Sequence, residues 1–168
     1  MTNRQTQQER IKEWLERFTD EQLESLYHHG RMLEKAFSDL RGPAGHVISG
    51  WMRMEEKVTG ERTMVFRLPV RWEMYNRLGI LHGGVLATLV DNAMGKGLHT
   101  LYPGKIVRQV TVNLNIHYLK GAVGKELLAH TTLVQAGKSL AVMEATVTDE
   151  NENVVCLATG TFRIYTKS

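Results

Sequence analysis

Hydrophobic residues near the start of the chain recur every three or four positions, as one face of a helix requires. Thr19 followed three residues later by Gln22 is typical of a capping box, which predicts a second helix from about Asp20. A segment containing Gly and Pro then ends the helical region. We therefore expect residues 1–44 to form an N-terminal helical extension and residues 45–168 to form the main domain.

From about residue 46 onward, apolar and polar residues alternate, which is the pattern of β-strands. The alternating segments are 47–54, 63–70, 110–118, 127–135, 140–148 and 154–165. The last three are joined by connections too short for a crossover, so we expect them to be antiparallel neighbours. The order of helices, strands, one apolar helix and further strands predicts an α+β fold, in which an antiparallel sheet covers a central helix.

The segment 83–100 interrupts the alternation and is long enough for a helix of about 27 Å. It is apolar nearly all round, which predicts a buried helix. Asp91 is its only acidic residue, and an isolated ionised carboxylate in a dry core is costly. Asp91 must therefore be hydrogen-bonded, protonated or facing a wet cavity. A structural partner such as Thr88 explains it as readily as a catalytic role does.

Two glycines, Gly83 and Gly84, stand where this helix begins. They let a ligand approach the backbone closely, and the free N–H groups of a first helical turn can stabilise a developing oxyanion. A tight bend between strand and helix explains them equally well. Asp91 lies about 12 Å further along the helix axis. This spacing argues against one chain bringing both groups to the same atom, whereas a symmetric dimer could do so.

The residues around this helix resemble a family signature. The matching positions are Asn76, Gly79, Leu81, His82, Gly83, Gly84 and Asp91. This arrangement is similar to that of the hotdog-fold acyl-CoA thioesterases, above all the PaaI-like branch, which includes phenylacetyl-CoA thioesterases. The later segments 111–118 and 137–139 fit the same pattern. The resemblance extends from about His46 to Thr166.

The resemblance implies a hotdog fold and an acyl-CoA thioesterase that needs no cofactor. It also implies a homodimer with active sites at the subunit interface, and such dimers usually pair into a homotetramer. The implied roles are Asp91 as general base or nucleophile, Gly83 and Gly84 as oxyanion hole, Asn76 in positioning the thioester or water, Thr111 in assisting the attacking water, and His82 in supporting the loop.

Three basic residues, Lys105, Arg108 and Lys138, are candidate contacts for the phosphates of CoA, because Lys and Arg are the usual partners of such anions. Solvated surface charges explain each of them equally well. The chain has 21 Lys and Arg against 18 Asp and Glu, a net charge of +3. This mild surplus suits an anionic small molecule. No interleaving of aromatic and basic residues favours nucleic acid as a partner.

Several other chemistries lack their sequence signatures. The histidines have no metal-ligand spacing, so we expect no metal site. The single cysteine, Cys156, is expected to pack within a strand rather than to attack a substrate. The sequence contains neither a serine nucleophile elbow nor a glycine-rich dinucleotide or phosphate loop. It shows no signal peptide or membrane-spanning segment, which favours a cytoplasmic protein that does not bind membranes.

The predicted reaction is hydrolysis of an acyl-CoA to a carboxylic acid and free CoA. The alternative is a non-catalytic protein that binds or senses acyl-CoA on the same fold, although a binder gains nothing from a buried carboxylate beside a neutral thioester. A hotdog hydratase is less well supported, because the Asp-x-Asn-x-x-His pattern of such enzymes is absent.

Overall fold

The structure, a computed structural model, describes residues 3–38, 47–104 and 106–166. Its internal contacts divide the chain into two units, Met1–Trp51 and Met52–Ser168. The boundary expected between residues 44 and 45 lies outside the described residues, so this division into an extension and a main domain stays a prediction.

Helices α1 (Asn3–Leu15) and α2 (Asp20–Ser38) lie in the first unit. The capping box is present at the start of α2. The Thr19 N–H donates to Gln22 Oε1 at 2.9 Å, and the Gln22 N–H donates to the Thr19 hydroxyl oxygen at 3.3 Å. These bonds satisfy donors that the first turn of a helix leaves free, and the start of α2 at Asp20 confirms the prediction.

The segment 47–54 was expected to be a strand, and this prediction was wrong. A short helix, α3, runs from Val47 to Met52, and the first strand begins only at Glu55. The apolar residues at 47, 48, 51 and 52 fit helical spacing as well as alternation, because one turn brings positions i and i+4 to the same face. Periodicity does not distinguish the two structures in so short an apolar run.

The second unit contains a six-stranded sheet and one long helix. Its strands are β1 (Glu55–Gly60), β2 (Thr63–Pro69), β3 (Ile106–Tyr118), β4 (Glu126–Ala136), β5 (Leu140–Asp149) and β6 (Val154–Thr166), and its helix is α4 (Gly83–Leu101). The strands lie in the order β1-β2-β4-β5-β6-β3, and each pair of neighbours is antiparallel. This arrangement confirms the predicted α+β class.

Helix α4 packs against the sheet and contacts β2 to β6. The side chains on its packed face are Leu86, Leu89, Val90, Ala93, Met94 and Leu98, all buried. The opposite face, which includes Thr88, Asp91 and Lys96, is only partly covered. The predicted buried helix is thus buried on the face that packs against the sheet, while its other face, which contains small residues such as Ala87, is only partly covered in a single chain. No helix in the described ranges is long and apolar enough to cross a bilayer.

Strand β3 forms one edge of the sheet and pairs with β6. Its register shifts between Thr111 and Asn113, which leaves Val112 as the extra residue of a β-bulge. Thr111 lies opposite the buried Phe162 and therefore faces α4, whereas Asn113 lies opposite Thr161 on the outer face. Unbroken alternation over 110–118 would place Thr111 and Asn113 on one face. The bulge between them turns their side chains to different faces instead.

Candidate active site

Asp91 lies on the partly covered face of α4 and is hydrogen-bonded. The Thr111 hydroxyl, which the β-bulge turns toward the helix, donates to Asp91 Oδ1 at 2.9 Å. Within the described ranges, Asp91 Oδ2 has no such partner. The structure thus shows Asp91 as a hydrogen-bonded side chain outside the sealed core.

The start of α4 leaves one backbone N–H free to bind a ligand. His82 is the N-cap residue, and its Nδ1 accepts the Gly84 N–H at 2.9 Å. The Tyr118 hydroxyl donates to the Gly83 carbonyl oxygen at 3.0 Å. The peptide group between Gly83 and Gly84 is therefore held at both ends. Of the two candidate oxyanion donors, only the Gly83 N–H lacks an acceptor among the described residues.

Tyr118 contributes to this site, although the sequence pattern did not single it out. Its ring carbons lie 3.5 Å from the position that a Cβ on Gly83 would occupy, so the ring packs against the helix start. A tyrosine that ends a row of apolar residues has a polar tip in need of a partner. That signal was present in the sequence, but the identity of the partner depends on how β3 lies against α4.

Asn76 shapes the turn that leads into α4. Its Oδ1 accepts the Leu78 N–H at 2.8 Å and, at 3.4 Å, the Ile80 N–H. Gly79 in the same turn has a φ of 71°, which glycine adopts without steric cost. The side-chain oxygen of Asn76 is therefore committed to the backbone. The role of Asn76 in positioning substrate or water stays a prediction. Because its oxygen is engaged, that role would fall to its amide nitrogen.

The three candidate phosphate contacts differ in their surroundings. Lys105 lies outside the described residues. Arg108 stacks on Tyr165, with its guanidinium carbon 4.3 Å from the ring centroid, and the guanidinium carbon of Arg163 lies 5.7 Å from the same centroid. Lys138 is exposed in the turn between β4 and β5. Two guanidinium groups thus lie beside one ring, and Arg163 is the one that the sequence did not indicate.

Cys156 is fully buried, which confirms that it packs within the sheet. Burial raises the pKa of its thiol to about 11. A thiol with such a pKa is a poor nucleophile near neutral pH, since the thiolate is the reactive form. In the described ranges, no group of three or more His, Cys, Asp or Glu residues is placed to hold a metal ion.

An antiparallel sheet packed against one long helix is the arrangement of hotdog-fold proteins. The model of the thioesterase superfamily matches residues 78–156. Mouse acyl-coenzyme A thioesterase 13 is 32% identical over 108 residues, which cover 61% of this chain and 76% of that protein. A putative esterase of Halobacterium salinarum is 31% identical over 122 residues, which cover 67% and 79%. The chain belongs to the thioesterase superfamily, and it is a thioester hydrolase.

Solved structures confirm the hotdog fold. A Bacillus halodurans protein crystallised with CoA is similar with a TM-score of 0.73 and 28% identity, and the match covers 94% of this chain and 99% of that one. A Streptococcus mutans protein bound to acetyl CoA is similar with a TM-score of 0.61 and 27% identity, over 68% and 90% of the two chains.

Proposed function

We propose that this protein hydrolyses acyl-CoA thioesters to the carboxylic acid and free CoA. The observation that carries the proposal is the hydrogen bond from Thr111 to Asp91 Oδ1 at 2.9 Å. A carboxylate held in this way can take a proton from water through its second oxygen. The names of the relatives support CoA as the thiol, since they include acyl-coenzyme A thioesterases and a Listeria monocytogenes 1,4-dihydroxy-2-naphthoyl-CoA hydrolase. The motif from Asn76 to Asp91 favours the PaaI-like branch.

In the proposed reaction, Asp91 Oδ2 takes a proton from a water molecule, and the water oxygen attacks the thioester carbon. The C–S bond then breaks, the CoA thiolate takes the proton from Asp91, and the acid product leaves. Thr111 keeps the carboxylate in position for this transfer. The other route is direct attack by Asp91 to give an acyl anhydride, and uptake of labelled oxygen from water into Asp91 would identify it.

The negative charge that develops on the thioester oxygen is stabilised by the Gly83 N–H at the positive end of α4. His82 and Tyr118 hold the next peptide group and so fix the direction of the helix start. In this scheme His82 supports the backbone and does not transfer protons. The amide nitrogen of Asn76 helps to position the thioester or the water.

Two copies of the chain complete each site. Asp91 lies eight residues beyond Gly83, about 12 Å along the helix axis, which is too far for both to contact one thioester group. Strand β3 offers an edge with exposed Val107 and Val112, and a long apolar edge is a template for pairing with another strand. Pairing two such edges about a two-fold axis brings Asp91 toward the partner subunit's Gly83. Two of these homodimers form the expected homotetramer.

Arg108 and Arg163, which both lie beside the Tyr165 ring, are the proposed contacts for the CoA phosphates. Neither guanidinium forms an ion pair with a carboxylate within the described ranges. Arginine binds phosphate oxygens through several parallel hydrogen bonds. Lys138 and Lys105 are proposed to add positive charge for the phosphates. In this proposal the phosphate end of CoA lies on the protein surface, and the thioester reaches the start of α4.

Release of free thiol from a panel of acyl-CoA esters tests the proposed function. The panel contains short, long and aryl acyl groups, and a thiol-reactive dye reports each turnover. We expect many turnovers per protein chain with at least one ester, and equal amounts of acid and CoA. Binding of CoA esters without turnover would favour a sensor instead. Turnover of simple thioesters combined with failure on every CoA ester would contradict CoA as the thiol.

A further inference from the structure

The imidazole of His82 caps the start of α4 and depends on its own protonation state to do so. Its Nδ1 accepts the Gly84 N–H at 2.9 Å. A Cβ on Gly84 would lie only 3.1 Å from that nitrogen, so the second glycine leaves room for the ring. A ring nitrogen accepts a hydrogen bond only when it carries no proton. The cap therefore requires the neutral imidazole, with its proton on Nε2.

Protonation of His82 breaks this cap for two reasons. The imidazolium carries a proton on both nitrogens, so Nδ1 then presents a donor to the Gly84 N–H, which is also a donor. The added positive charge lies at the positive end of the helix, where a cation is unfavourable. The His82 side chain is exposed, so protons from the solvent can reach it. The cap is thus present at higher pH and is lost as the pH falls.

Loss of the cap loosens the part of the helix that is assigned to the oxyanion. Two consecutive glycines have a wide choice of backbone conformations, and unpaired N–H groups in a first turn are the weak point of a helix. The Tyr118 hydroxyl still holds the Gly83 carbonyl oxygen, but the Gly84 N–H no longer has its acceptor. The Gly83 N–H then loses its fixed direction, and an oxyanion donor is effective only when its direction is fixed in advance.

The segments around the helix start carry other titratable or charged groups, several of which are paired. Arg71 pairs with Glu73 at 2.7 Å, and Lys120 Nζ lies 3.9 Å from Asp149 Oδ2. Carboxyl, phenol, ammonium and guanidinium groups ordinarily keep their charge between pH 5 and 8, whereas an imidazole does not. The groups are Arg71, Glu73, Tyr75 and Arg77 before α4, Asp91 on α4, Tyr118, Lys120 and Lys125 on β3 and after it, and Asp149 and Glu150 beside that segment.

We propose that His82 is a pH-sensitive positioning residue, whose protonation releases the Gly84 N–H, loosens the oxyanion site and slows hydrolysis as the pH falls. The inference rests on the proposed hydrolysis of acyl-CoA and adds a proton-dependent control to it. His82 transfers no proton to the substrate, since that step is assigned to Asp91. Each turnover yields a carboxylic acid that ionises at neutral pH, so the enzyme slows when its own product acidifies the surroundings.

A cap that does not titrate tests the proposal. In His82→Asn, the amide oxygen is as many bonds from the backbone as Nδ1 is in histidine, and it can accept the Gly84 N–H at every pH. Loss of the thioester absorbance gives kcat/KM from pH 8 to pH 5.5, normalised to the value of each protein at pH 8. For wild type we expect a fall of about fivefold or more, the size expected for loss of a helix cap.

In His82→Asn, the same fall is expected to stay below about twofold, because carboxylates ordinarily titrate about two pH units below imidazoles. The matched control is His130→Asn, at an exposed histidine on β4, and it is expected to keep the wild-type pH profile. The substrate is the same in all three proteins, so ionisation of the CoA phosphates affects them equally.

A nuclear magnetic resonance signal reports on the cap without the need for activity. Gly83 and Gly84 form the only Gly-Gly pair in the sequence. Glycine labelled in both its carbonyl carbon and its nitrogen therefore gives one amide in which a labelled nitrogen is bonded to a labelled carbonyl, that of Gly84. In wild type, we expect this N–H signal to move with pH at the midpoint of the activity change. In His82→Asn, we expect it to stay in place.

Three results would overturn the proposal. Equal falls in wild type and folded His82→Asn would assign the acid loss to another group, such as Asp91. Wild-type activity that does not fall toward pH 5.5 would remove the link between the cap and catalysis. A wild-type Gly84 signal that stays in place would show that the cap does not respond to protons, and this measurement stands even if His82→Asn does not fold. Failure to turn over any ester would count against the hydrolysis itself, while a moving Gly84 signal would still support the proton-dependent cap.

Discussion

Asp91→Asn is expected to reduce kcat by about 100- to 10,000-fold, the usual contribution of a positioned general base. Asparagine keeps the shape of the side chain, and its amide oxygen can still accept the hydrogen bond from Thr111. It has no basic oxygen to take a proton from water. Asp91 lies on the partly covered face of α4, so the change leaves the buried core intact. Thiol release from the best ester of the panel gives kcat and KM.

The matched control for this variant is Asp20→Asn, the same chemical change at an exposed aspartate in the first turn of α2. It is expected to retain wild-type activity. Thermal melting of both variants checks that each is folded. If folded Asp91→Asn hydrolysed the ester within about twofold of the wild-type rate, which is under 1 kcal/mol in the barrier, Asp91 would have no part in the chemistry.

Gly83→Pro is expected to lower kcat by about 100- to 1,000-fold, because it removes the one N–H assigned to the oxyanion. The fold is expected to tolerate the change. Gly83 is the first residue of α4, where proline loses no intrahelical bond. The residue before it, His82, has a φ of −64° and a ψ of 132°, the extended backbone that proline requires of its neighbour. KM is expected to change less than kcat, since this bond strengthens in the transition state.

Gly83→Ala is the control for the proline variant, because alanine keeps the N–H. Its Cβ would lie 3.5 Å from the Tyr118 ring, which is an ordinary contact distance. Most of the wild-type kcat is therefore expected to remain. Equal losses in the two variants would show that the reaction needs space at Gly83 rather than its N–H, and the oxyanion assignment would be withdrawn.

The fold of the second unit was predictable because its patterns are long. In strands β4 and β5, buried and more exposed residues alternate over ten or more positions, as apolar and polar residues do in the sequence. The period of two and the assignment as strands were therefore clear from the sequence. The pattern failed where it was short or interrupted. Residues 47–52 fit a helix as well as a strand, and the bulge at Val112 reversed the face of everything before it. A bulge depends on pairing with β6, which no local pattern records.

The candidate site was predictable to the extent that it is local. Asp91 and Gly83 share one helix, so a sequence motif contains both. Tyr118 acts through a contact between β3 and α4, and its partner follows from packing rather than from spacing.

The central claim is that each site combines Asp91 of one chain with the partner subunit's Gly83, and mixed dimers test it most directly. Asp91→Asn and Gly83→Pro chains carrying different tags are co-expressed, and dimers that carry both tags are isolated. In such a dimer, one site has both native residues and the other has both substitutions. Each parent variant alone is expected to be weakly active. The mixed dimer is expected to show about half of the wild-type activity per dimer, because one of its two symmetric sites is restored. Mixed dimers no more active than their parents would contradict the claim and place both residues of a site in the same chain.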